Sequence, residues 1–92
     1  MLDSIEVPDE MKALYIERRR LDMIECIKAF ELSNFSFLQK VGHQVSGNAQ
    51  SFGFEALTPI ANDLENAAKE KDAKRLVVIL KDFAQAIQTL SF

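Results

Sequence analysis

The chain has 92 residues, 48% of them apolar, and a formal net charge of −3. That length supports one small domain around one core, and the acidic balance disfavours nucleic acid and anionic membranes as partners. One cysteine, Cys26, excludes an internal disulfide and fits a reducing, cytoplasmic setting, and one cysteine with one histidine excludes a standard structural zinc site.

No apolar run approaches the roughly 20 residues that span a bilayer. The opening MLDSIEVPDE lacks the basic and apolar regions of a signal peptide. A single cytoplasmic domain over residues 1–92 is expected, with 1–7 as a flexible lead-in.

Helix signals then follow in chain order. Pro8 before Asp9 and Glu10 marks a helix start: proline suits the first turn and acids suit the positive end of the helix dipole. The first helix is predicted from Pro8 to Glu31, with apolar positions at Met11, Leu14, Tyr15, Met23, Ile24, Ile27 and Phe30. The apolar phase slips at Glu17-Arg18-Arg19-Arg20, which predicts a bend or two helices end to end. The three arginines read as a solvated patch or a contact for an acidic partner.

Ser33 or Asn34 caps a second helix, predicted to run to Phe52 and stop at Gly53. A third starts near Glu55, with Pro59 in its first turn, and runs to Glu70. Asp72 caps a fourth, from Ala73 to Leu90, whose buried stripe is Leu76, Val77, Leu80, Phe83, Ala84, Ile87 and Leu90. Four amphipathic helices joined by short loops predict an all-α, antiparallel four-helix bundle. Cys26 is expected to be buried and inert.

The stretch VGHQVSGNAQSFGF, residues 41–54, holds the only histidine and all three glycines. At about 100° per residue, Leu38, Val41, Val45, Ala49 and Phe52 form one buried stripe, and His43 projects about 160° from its centre. Ser36, Lys40, Gly47 and Gln50 share the histidine face, which is therefore solvent-facing. Each interior glycine costs a helix about 1 kcal/mol relative to alanine. Gly47 opens space for something to approach the imidazole, and Gly42 suits close packing against a neighbouring helix. Two placements are open for Phe54: on the His43 face as part of an apolar docking surface, or tucked under the turn at Gly53.

H-Q-V-S-G from His43, then N-A-Q-S-F-G-F, then Leu64-Glu65 followed by N-A-A-K, resembles the histidine phosphotransfer (HPt) domain family. The likeness extends over roughly Met11 to Leu90. It implies a phosphocarrier that moves a phosphoryl group between aspartates of response-regulator receiver domains, in a two-component relay fed by a histidine kinase or hybrid kinase. The likeness makes His43 the phosphoacceptor, Gly47 the glycine that admits the aspartyl phosphate, Gln50 the polar residue beyond it, and Glu65 a carboxylate near the imidazole. Lys69 falls near a basic position of some members. Where the family usually has lysine three residues after the histidine, this chain has Ser46, and Val45 stands in place of leucine. Positive charge would then come from Lys40 or Lys69.

Neutral imidazole presents a ring nitrogen lone pair without needing a dedicated base. Mg²⁺ is expected on the partner receiver and no cofactor on this chain. No phosphate loop of the GxxxxGK[ST] kind is present, so autonomous kinase activity is not expected. Glu65 has a second role open to it, an i,i+4 pair with Lys69. Two other functions stay in view: an HPt-like module that docks receivers or kinases without efficient transfer, and a structural bundle in which His43 is incidental.

Overall fold

The computed structural model describes residues 7–90, and the expected lead-in lies almost wholly outside them. Four helices pack as an antiparallel bundle: α1 (Asp9–Glu31), α2 (Phe35–Asn48), α3 (Leu57–Lys69) and α4 (Ala73–Gln88). The bundle is elongated, 44 × 21 × 17 Å, and the 23-residue α1 is its longest helix.

Two of the connections are built alike. Helix α1 ends with Ser33 in the left-handed region (φ 56°), where the Asn34 N–H reaches the Ala29 carbonyl at 2.7 Å and the Ser33 N–H reaches Phe30. Helix α3 ends with Lys71 at φ 55°, Asp72 N–H on Ala67 and Lys71 N–H on Ala68. This paired return of N–H groups to the last turn closes a helix. The closing residue then opens the next helix: Asn34 Oδ1 accepts the Phe37 N–H and Asp72 Oδ1 accepts the Arg75 N–H, each at 3.2 Å. One residue serves both helix ends, which keeps the loops short and the helices antiparallel.

The second helix is shorter than expected as an α-helix. It gives way after Asn48 to a single 3₁₀ turn, Gln50–Phe52, and stops at Gly53. Gly53 has φ 88°, a conformation that disfavours other residues. Helix α4 ends at Gln88 rather than Leu90, and α3 begins at Leu57 rather than Glu55.

Helix α1 corrects the sequence expectation most. It is one continuous helix, not two helices end to end. Its inner face is Tyr15, Ile16, Arg19, Met23, Cys26 and Ala29. The apparent phase slip is an arginine occupying a core-facing slot. Arg19 is buried, its guanidinium lies 4.4 Å from the centre of the Tyr15 ring, and its Nε donates to Asp22 Oδ2 at 2.7 Å. The charge is covered on both sides, by a π face and by a carboxylate. Only Arg18 and Arg20 of the three are solvated, and at about 160° apart around the helix they form no common patch. Met11, Leu14, Ile24 and Ile27, expected among the apolar positions of the helix, are exposed.

In α4, Val77 is 41% exposed and Ile79 is buried in its stead. The stripe centres on Leu76, Leu80, Phe83 and Ile87, which leaves Val77 at its edge, about 100° from Leu76. Cys26 is fully buried, and burial with Asp22 and Glu25 nearby pushes its thiol up to about 12, so thiolate chemistry is suppressed. Among the described residues no helix is long and apolar enough to cross a membrane.

Candidate functional site

Helix α2 presents Leu38, Val41, Gly42 and Val45 to the core, which turns His43 outward. The expected orientation of the histidine holds. Helices α2 and α3 meet at Gly42. A Cβ there would lie 2.6 Å from the Glu65 backbone nitrogen, 2.8 Å from the Ala61 carbonyl and 2.9 Å from the Glu65 Cα. The two backbones can come this close only because residue 42 is glycine. Contact at Gly42 also sets the register of α3, placing the Glu65 Cα beside the residue that precedes His43.

From that position the Glu65 side chain reaches the imidazole, with Oε2 3.1 Å from His43 Nδ1. The His43 side chain is 76% exposed and that of Glu65 26%. The carboxylate favours the tautomer in which Nδ1–H donates to it, which leaves the lone pair on Nε2. Lys69, one turn beyond Glu65, is exposed and makes no ion pair among the described residues. Of the two roles open to Glu65, the contact with His43 is formed and the i,i+4 pair with Lys69 is not.

The imidazole borders an open cleft of about 420 Å³, lined by Ser36, Gln39, Lys40, His43 and Glu65. Lys40 is the one cation among these lining residues. Gln39 went unnamed in the sequence; its signal was a position one turn before His43, on the flank of the exposed face. Ser46 has its hydroxyl donating to the His43 carbonyl at 3.0 Å, a local back-bond along the helix. That hydroxyl is engaged and does not stand in for an ammonium. Gln50 is exposed in the 3₁₀ turn.

Phe54 corrects one of the two open placements. It is 6% exposed, stacked on Tyr15 at 5.6 Å between ring centres, and forms no docking surface. The helix stops at Gly53, so a position extrapolated along it does not apply. Tyr15 also stacks on Phe52 at 4.4 Å and donates to Asn48 Oδ1 at 2.6 Å, pinning α1 against the end of α2. Burial raises the Tyr15 phenol pKa, and Arg19 partly opposes the shift.

Gly47 differs from Gly42. A Cβ at position 47 meets nothing within 4 Å. The fold does not require glycine there, so Gly47→Ala should stabilise the chain by about 0.5–1 kcal/mol through helix propensity. Urea unfolding checks this, and a loss of stability would show an unseen constraint at that turn.

Among the described residues no group of three or more His, Cys, Asp or Glu gathers at metal-binding spacing. No family model matches the chain, and neither does any curated protein or solved structure.

Proposed function

We propose that the chain is a histidine phosphotransfer protein that carries a phosphoryl group on His43, to or from the aspartate of a receiver domain. The observation that carries this reading is the solvent-facing imidazole held through Nδ1 by Glu65 at 3.1 Å, with Nε2 left for reaction. In the forward step the Nε2 lone pair attacks the phosphorus of an aspartyl phosphate. The P–N bond forms, the P–O bond to the aspartate breaks, and that carboxylate leaves with its electron pair. The proton on Nδ1 remains shared with Glu65, so the positive charge that develops on the ring is stabilised as it forms. Phosphoryl transfer is mainly positioning and charge stabilisation, and a rigid helix with one oriented imidazole supplies the positioning. The receiver would bring the aspartate and its Mg²⁺.

The phosphoryl oxygens arrive beside Glu65, a like charge, and a cation is needed to offset it. Lys40 supplies it in this reading, since it lines the same cleft while the Ser46 hydroxyl is engaged elsewhere. Lys40→Ala is expected to slow transfer about tenfold, a modest effect because the cleft is open to solvent. Rapid-quench transfer kinetics check it, and an unchanged rate would remove Lys40 from the site. Ser46→Lys should speed transfer or prolong the life of the phosphohistidine, by placing an ammonium one turn beyond the imidazole.

The function is tested by offering the chain a panel of receiver domains charged with acetyl phosphate. Acid-labile label on the chain is expected with at least one receiver. Receiver binding without label would replace the carrier by a docking module, and neither binding nor label would leave His43 without a role in signalling.

A further inference from the structure

Helix α1 is apolar on its outer side as well as its inner one. Leu14, Leu21 and Ile24 are 69%, 51% and 52% exposed. At about 100° per residue they share a sector roughly 80° wide, opposite Tyr15, Met23 and Cys26. Glu17 and Lys28 fall within that sector. The series Leu14, Glu17, Leu21, Ile24, Lys28, Glu31 steps by three and four, the spacing of a coiled-coil seam. A helix with apolar residues on both sides is normally covered on both.

The charges along the seam select what covers it. We infer that the outer face of α1 docks against α1 of a second copy of this chain, antiparallel, about a two-fold axis between Asp22 and Met23. In that register Leu21 lies opposite Ile24 of the second copy, Glu17 lies opposite its Lys28, and at the ends of the seam Leu14 lies opposite its Glu31. On one flank Arg18 lies opposite its Glu25. Every relation recurs in reverse, as an isologous interface demands. A parallel pair would set Glu17 against Glu17 and Lys28 against Lys28. Among the described residues Glu25 and Lys28 form no ion pair within the chain, and Glu17–Arg20 at 3.5 Å and Arg18–Asp22 at 3.7 Å are loose, exposed contacts. Little is lost when they exchange partners. None of these residues lines the His43 cleft, while Arg18, Leu21 and Glu25 border a neighbouring cleft that Lys40 also lines. The pairing does not rest on the phosphocarrier reading.

The seam offers three apolar side chains per copy. It places the dimer in the small, weak class of interfaces, with a dissociation constant of roughly 0.01–1 mM. Sedimentation equilibrium of the full chain from about 10 µM to 1 mM tests it. A concentration-dependent dimer is expected. Leu21→Asp should abolish it with the helical circular dichroism unchanged, since that side chain is exposed in the monomer. Lys28→Glu should weaken it about fivefold or more by setting Glu17 against a glutamate, and Glu17→Lys together with Lys28→Glu should restore it. A monomer throughout, a dimer indifferent to Leu21→Asp, or a double variant no better than the single one would each overturn the inference. So would a face that is covered only in the presence of a different protein.

Discussion

Gly42→Ala is expected to destabilise the bundle by about 1–3 kcal/mol, although alanine is the better helix former by about 1 kcal/mol. Packing wins over propensity because of what the new Cβ would meet. All three contacts under 3 Å are to α3 backbone, at Ala61 and Glu65, and no rotamer change relieves them. Helix α3 must shift outward, opening the most intimate seam of the bundle. The shift also carries Glu65 away from His43, so transfer should slow in the variant even at temperatures where it stays folded. The two glycines of α2 should therefore respond oppositely to the same substitution: position 42 loses stability and position 47 gains it. Urea unfolding of the pair decides the matter. A Gly42→Ala variant as stable as the wild type would mean that α2 and α3 are not held this close.

His43→Gln is expected to abolish phosphoryl acceptance while changing stability by no more than about 0.5 kcal/mol. The side chain is 76% exposed, and its one polar contact is the surface hydrogen bond to Glu65, which a glutamine amide can replace. Glutamine has no nitrogen lone pair basic enough to attack phosphorus. Loss of label with an intact unfolding curve would place the chemistry at this residue, and retained label would move it elsewhere.

Legibility of the sequence varied from helix to helix for physical reasons. In α2 the apolar residues keep to one side, so periodicity located the helix and turned His43 outward correctly. In α4 it located the helix, although Val77 and Val78 are exposed beside the buried stripe. In α1 they lie on both sides, and a buried arginine interrupts the inner stripe. Periodicity has no means of reading Arg19 as core, because its burial depends on Tyr15 and Asp22 covering the charge. Chain reversal at Gly53 likewise put Phe54 under the bundle, where a helical extrapolation from α2 would have left it exposed.

The site was legible in parts. His43 followed from spacing. The Glu65 contact followed only from the HPt resemblance, since nothing local in the sequence says which α3 turn faces residue 43. That register is set by Gly42 against the backbone of Ala61 and Glu65, an approach between helices that a pattern within one helix does not encode. Between Lys40 and Lys69 the sequence was neutral. The fold puts Lys40 in the cleft and leaves Lys69 exposed without an ion-pair partner among the described residues.

The decisive measurement is the identity of the phosphorylated atom. After transfer from a charged receiver, ¹⁵N–³¹P correlation on ¹⁵N-histidine-labelled chain reports which ring nitrogen bears phosphorus. With Nδ1 held by Glu65, the phosphoramidate is expected on Nε2 of His43. Phosphorus on Nδ1 would contradict the orienting role of Glu65, and phosphorus on a carboxylate or hydroxyl, or on no residue with any receiver, would contradict the phosphocarrier itself.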